Sequence, residues 1–360
     1  MTIQESACHF QLSTPIEPAD FLKKIVEIYL TSTVKTASDL ELVSKAIAKL
    51  LTIVTEDVAA CVAQALVLQG KLDQSMMSAF LMRHDLSSRI VLSEAATLPR
   101  SVILGATASV LRDEAASIAA RPDLDLLPLQ FLLSRDDRSI DILLAENRKI
   151  SMPYLIVEQL IFRAVRNPGL ARTLLGRPDL TLAQRGCLIM AADLETALEI
   201  LGSVDTFVNL AEQEMPSLHA LDPELLLSIP TYEGVRDELS ARCASAFKVR
   251  NLQIERIVND PRGVGLTILL AAHGLNSDKL IRLIEYIFSF ENINFRIPPF
   301  LRSIIGSVHP KSARWLVEQM LEVETGSRSG SSSSKNITVS KMNIGKPTDG
   351  YKYSRQLRSA

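Results

Sequence analysis

The chain has 360 residues, 47% hydrophobic and 22% charged, with a formal net charge of −2 at pH 7. This balance excludes an intrinsically disordered polypeptide and fits one elongated domain or two compact ones around a large core. The charge is uneven: residues 327–360 hold seven Lys and Arg against Asp349, a net of +6, which leaves −8 on the rest.

Only 15 Gly and 5% aromatics, against abundant Leu, Ala and Ile, favour helix, because unbranched and small side chains lose little rotamer freedom there. No apolar run approaches the roughly 20 residues that cross a bilayer; LTILLAAHGL at 266–275 is soon interrupted. The start, MTIQESACHFQ, lacks a basic segment followed by an apolar one, so no secretory signal is expected and a cytoplasmic location is. Cysteines 8, 61, 187 and 243 have no CxxC spacing, which speaks against a disulfide framework or zinc site; Cys61 and Cys187 read as small core residues.

Residues 1–19 read as an N-terminal extension, and helical periodicity begins near residue 20. Ser38 with Glu41 has capping-box spacing, and Ser87 and Ser151 are expected N-caps. RHDL begins at Arg83, RPDL at Arg121, NRKI at Asn147 and RPDL again at Arg177, separated by 38, 26 and 30 residues. Apolar-periodic segments flank these tetrapeptides: DEAASIAA and LQFLL around the first RPDL, DRSIDILLAE and MPYLIVEQLIF around NRKI, NPGLARTLLG and TLAQRGCLIMAA around the second RPDL. The unit is helix, turn, helix, and such units stack to form an α-solenoid. In the turn, Arg177 complements the negative end of a helix dipole, Pro178 stops the helix, and Thr181 with Gln184 starts the next through a capping box.

Further along, Asn167-Pro168 and Asp222-Pro223 mark helix starts, and RGVGLT at 262–267 reads as a tight interhelical turn. FENINFRI at 290–297 alternates weakly but lies beside Pro298-Pro299. The helix in KLIRLIEYIFSF reads as largely buried, and the stripe Trp315, Leu316, Met320 and Leu321 should close the end of the core. Between residues 20 and 323, typical helix lengths predict about 14 to 18 helices. The all-α repeat domain spans residues 20–325, and a Ser/Gly/Lys-rich tail, 326–360, is expected to be disordered. Its Lys335, Lys341, Lys346, Lys352, Arg355 and Arg358 are candidate contacts for an anionic membrane surface.

Common catalytic signatures are missing: no HExxH, no GxxxxGK followed by Ser or Thr, no GxSxG and no EF-hand loop. The five histidines, 9, 84, 219, 273 and 309, include no i, i+4 metal pair, and His84 and His273 fall in turns. Asp136-Asp137 and Asp123 with Asp125 sit where helix starts favour carboxylates. No cofactor, metal or catalytic residue is expected.

The stretches ARPDLDLLPLQFLLSRDDRSIDILLAENRKIS (120–151), RNPGLARTLLGRPDLTLAQR (166–185) and LQIERIVNDPRGVGLTILLAAHGLNSDKLIRLI (252–284) resemble a bacterial helical-repeat family of unknown function with HEAT-like repeats. The resemblance covers roughly residues 80–285 and implies an α-solenoid of HEAT-like helical hairpins, without a named activity. It also implies an inter-repeat polar ladder from Arg83 with Asp85, Arg121 with Asp123, and Arg177 with Asp179. NRKI departs from this pattern with Asn147 and Arg148, which counts against one continuous ladder.

The leading expectation is a non-enzymatic scaffold or regulator that binds a protein partner on an extended repeat surface. One alternative is a nucleic-acid-acting enzyme on a HEAT-like scaffold, of the alkylpurine DNA glycosylase kind. That needs a cationic face with aromatics beside an acidic residue, whereas this body is acidic and holds one Trp, near its end. The other alternative is a membrane-surface adaptor recruited by the basic tail. A second copy of the chain is also an admissible partner.

Overall fold

The computed structural model describes residues 17–31, 36–210, 218, 221–290 and 295–325. Among them are twenty α-helices, one 3-10 turn and no strand. The chain-order elements of the first part are α1 (Pro18–Thr31), α2 (Ala37–Leu51), α3 (Glu56–Leu68), α4 (Gln74–Leu81), α5 (Leu86–Glu94) and α6 (Arg100–Ala108). There follow α7 (Arg112–Ala119), α8 (Leu126–Ser134), α9 (Arg138–Glu146), α10 (Tyr154–Ala164), α11 (Pro168–Leu175) and α12 (Leu182–Cys187). The count exceeds the sequence expectation of 14 to 18 because ten of the twenty helices are only eight or nine residues long. Five of the ten begin at a side-chain cap: Asp73, Asp85, Asp125, Asp137 and Asn167 accept backbone N–H groups at their starts.

These helices stack in two layers. In the first, α1, α3, α5, α7, α9 and α11 pack in succession; in the second, α2 packs on α4, and α6, α8, α10 and α12 follow one another. Consecutive helices cross from one layer to the other, which is the arrangement of an α-solenoid. Buried apolar residues form two clusters, one running from Leu22 to Ala95 and the other from Leu92 to Val323. They divide at α5, where Val91 belongs to the first and Leu92 to the second.

Beyond α12 the regular alternation stops. A 3-10 turn, Ile189–Ala191, is followed by α13 (Leu194–Leu210), α14 (Pro223–Leu227), α15 (Tyr232–Phe247), α16 (Asn251–Val258), α17 (Val264–Ala272), α18 (Ser277–Ser289), α19 (Pro299–Ser307) and α20 (Pro310–Thr325). All nine residues of α17 are buried. This helix packs on the 3-10 turn, which itself packs on α11, while α20 packs on α12, α13 and α17. The next place in both layers is thus taken by α17 and α20, which are not neighbours in the chain.

Two glycines permit these close approaches. A methyl group at Gly186 in α12 would lie 3.0 Å from Leu316 Cδ2 and 3.3 Å from Trp315 Cζ3 of α20. One at Gly265 in α17 would lie 2.7 Å from Met190 Sδ and 3.0 Å from the Ile257 carbonyl oxygen.

Several local expectations need correction. The cap of α2 is Thr36, whose hydroxyl accepts the Asp39 N–H, and not Ser38. The cap of α5 is Asp85, which also holds the Ser87 hydroxyl, because a carboxylate out-competes a hydroxyl two residues later. Pro153, not Ser151, precedes α10. Cys61 is exposed: Ala59, Ala60, Val62, Ala63 and Leu66 define the buried face of α3 and leave position 61 outward. Cys187 and Cys243 are buried, and burial pushes the Cys243 thiol up to about 12. KLIRLIEYIFSF forms an amphipathic helix with Leu280, Leu283, Ile284, Ile287 and Phe288 inward, whereas the all-round buried helix is α17. Leu316, Met320 and Leu321 are buried as expected, but α20 lies between other helices and does not cap an end. His9, His219 and the tail residues Lys335, Lys341, Lys346, Lys352, Arg355 and Arg358 lie outside the described residues.

Candidate interaction surface

The turn arginines are placed by the last carbonyls of the preceding repeat. A helix C-terminus leaves carbonyl groups without intrahelical partners, and its dipole favours a cation there. Arg177, at the end of α11, donates to the carbonyls of Ala145 (3.3 Å), Asn147 (2.8 Å) and Ile150 (2.8 Å) at the end of α9. Asp179 grips the same guanidinium with both oxygens, at 2.8 and 2.7 Å. Arg121, at the end of α7, reaches the Leu92 carbonyl of α5 at 3.0 Å and is gripped by Asp123 at 2.7 Å on both contacts. Both guanidiniums are buried and tied on every side, so these charges hold the stack together and do not face a ligand.

Asn147 completes this series instead of interrupting it. Its amide nitrogen donates to the carbonyls of Ala119 (2.9 Å) and Arg121 (2.7 Å) at the end of α7. Two N–H groups on a short side chain satisfy two carbonyls without a buried charge. Arg148 takes no comparable part; its guanidinium lies near Gly176. The first layer therefore has consecutive rungs at Arg121, Asn147 and Arg177.

Arg83 belongs to a different ladder. It lies at the end of α4, donates to the carbonyls of Leu51 and Val54 after α2, and pairs with Asp85 at 2.8 Å. Arg135, at the end of α8, reaches Thr107 and Ser109 at the end of α6, and Arg163 of α10 reaches the Leu133 carbonyl of α8 at 2.6 Å. Arg163 also joins the layers by gripping Asp141 of α9 at 2.7 and 3.0 Å; burial pushes the Asp141 carboxyl up against that pull. Arg135 and Arg163 escaped the sequence reading. The signal was present, since RHDLS at 83–87 and RDDRS at 135–139 share Arg-x-Asp-x-Ser. In both, the second residue has positive φ, 53° for His84 and 52° for Asp136, and the Asp at the third position accepts both the N–H and the hydroxyl of the Ser.

His84 also spans repeats, with Nδ1 2.5 Å from Glu114 Oε1 of α7. His273 is buried at the end of α17, edge-on to Phe247 at 5.9 Å, and so is a core group and not a surface one. Asp123 clamps Arg121, whereas Asp125 and Asp137 cap α8 and α9. Among the described residues no group of three or more His, Cys, Asp or Glu side chains gathers as a metal site, and no helix is long and apolar enough to cross a membrane.

What the ladders leave outward is apolar. On α8, Leu127 and Phe131 are exposed, and on the adjacent α10 Tyr154, Leu155 and Phe162 are exposed, Leu155 to 63%. Tyr154, Leu155 and Phe162 line a groove of about 800 Å³, bordered by Asp136 after α8 and by Glu322 and Val323 near the end of α20. Spacings of seven and eight residues put these side chains on one face of α10.

The arrangement defines a two-layer helical solenoid whose turns are braced by arginine and asparagine and whose second layer shows an apolar face. Compared with known proteins, no family model matches this chain, and neither a curated protein nor a solved structure shows significant similarity to it.

Proposed function

We propose that the chain is a non-enzymatic scaffold or regulator of the HEAT-like kind that binds a protein partner through the outward face of α8 and α10. The observation that supports this reading is the adjacent exposure of Leu127, Phe131, Leu155 and Phe162 beside a groove, on helices that are otherwise well buried. Aromatic and aliphatic groups standing together on a rigid surface are what a partner's apolar residues dock against. The guanidiniums of Arg121 and Arg177 are already engaged, and the net charge of the body is negative, which disfavours a polyanionic nucleic acid.

Leu155→Glu with Phe162→Glu tests the reading, because both side chains are exposed and their loss leaves the core intact. A protein captured from lysate by the wild type and lost on this double substitution, with thermal stability retained, supports it. Capture that persists unchanged in the variant removes its basis.

A further inference from the structure

The geometry points to a binding site for a small organic oxyanion, a phosphate or carboxylate on a compact apolar body, in a cavity where the regular stack gives way to the C-terminal helices. The cavity holds about 540 Å³ and lies between the α10–α11 turn, the 3-10 turn after α12 and the α16–α17 turn. It shares Arg166 with the groove of the protein-partner reading, and Arg172, which lines the cavity alone, keeps the two tests distinguishable.

Four arginines line it, Arg166, Arg172, Arg256 and Arg262, together with two aspartates, Asp193 and Asp260. Arg166, Arg172 and Arg262 alone outnumber the two aspartates, on a body that carries −8. The aspartates are committed to backbone. Asp260 is buried and accepts the N–H groups of Gly265 (2.7 Å) and Arg262 (3.1 Å). Asp193 accepts the Thr196 N–H at 2.8 Å at the start of α13. Both feel the Arg262 charge without a hydrogen bond to its guanidinium, and neither interacts so with Arg166 or Arg172.

Three of the guanidiniums, those of Arg166, Arg172 and Arg262, keep donors to spare. Arg166 is exposed and rests against the Phe162 ring at 5.9 Å. Arg172 is exposed and donates only Nε, to the Pro168 carbonyl of its own helix at 3.3 Å. Arg262 is fixed by one Nη1 bond to the Met190 carbonyl at 3.1 Å and by its position over the Phe300 ring at 5.2 Å. Among the described residues no carboxylate pairs with Arg166 or Arg172.

Guanidinium forks match the planar or tetrahedral oxygens of carboxylate and phosphate, and like charges held together around a low-dielectric wall focus potential on an anion. Val165, Ala171, Leu188 and Met190 supply an apolar wall, which is unused by a bare inorganic ion and suits an organic one.

Calorimetry on the full chain with phenyl phosphate, inorganic phosphate and phenol tests this, with methyl NMR of Met190 as a local reporter and exposed Met82 as a control. The expected result is saturable phenyl phosphate binding that weakens with salt, weaker binding of inorganic phosphate, and none of phenol. Arg166→Gln and Arg172→Gln should each weaken phenyl phosphate roughly 10-fold or more, the value of one charge-assisted hydrogen bond. Both side chains lie on the surface without inter-helix hydrogen bonds, so either variant keeps the fold. Absence of phenyl phosphate binding, unchanged affinity in both variants, or a Met190 signal that does not move while binding occurs would each overturn the assignment.

Discussion

Residues 56–187 and residues 188–325 solve the same packing problem in different ways. In the first region a helix buries its face against one two places along the chain, and each turn side chain reaches carbonyls about one repeat back. In the second, the partners are distant: Ser312 donates to Asp205 across 107 residues, and the Cys187 thiol, at the last position of the first region, donates to the Gln319 carbonyl across 132. Stability should therefore be distributed along the first region and concentrated on α20 in the second.

The most severe way to break this contrast is to end the chain at His309, against a control that ends at Thr325. Without α20 the buried contacts of Leu316, Val317 and Met320 vanish together. Hydrogen exchange should show complete loss of protection over α13 to α19, with protection kept in α3 to α9. Equal loss along the whole chain would show that the two regions fold as one unit.

Arg177→Leu comes next. It strands three carbonyls and the Asp179 carboxylate, and breaking a buried pair of this kind costs roughly 3–5 kcal/mol, readable as a lower urea midpoint. The effect should be centred on α9 and α11. Leu316→Ala, fully buried in α20, should cost about 2–5 kcal/mol and loosen α12, α13 and α17 together. Local against delocalised loss is the measurement that sharpens the comparison.

Thr181→Ala removes the hydroxyl half of a complete capping box and should cost about 1 kcal/mol, confined to α12. The smallest expected effect is on pH dependence. The guanidiniums of Arg121 and Arg177 hold Asp123 and Asp179 below the usual carboxylate range. A depressed folded pKa gives stability that is present above the unfolded value, about 3.9, and is lost as pH falls through the folded one. Urea midpoints should thus drop as the pH is taken below about 4, and Asp179→Asn should make that drop shallower. An identical pH profile for the variant would remove Asp179 from the acid response.

Much of the regular region was legible because its signals are local. The Thr181–Gln184 capping box, the Asn167 cap and the Arg-Asp pairs of both RPDL turns all act within a few residues. Assigning RHDL to the same ladder as RPDL failed because four letters do not tell which layer a turn closes; the fifth, Ser87 or Ser139, does. Asn147 was read as a gap because hydrogen-bond capacity, and not charge, is what the rung requires. The site of α20 was not legible, since an amphipathic helix records which face it buries and not where in the chain its partner lies. The arginine cavity was hidden for the same reason, as Arg166 and Arg262 meet only through folding.

The central place of α20 has a consequence for how the chain comes into being. A ribosome delivers residues in order, at roughly 5–20 per second, so α3 to α11 can stack as they emerge. Once made, α17 must wait on the order of 3 to 10 s for its closing helix. During that interval the nine buried residues of α17 have no cover on the side that α20 will take. The nascent chain is then most exposed to chaperones and to self-association in its second half, and slowing synthesis between α17 and α20 should lengthen that exposure.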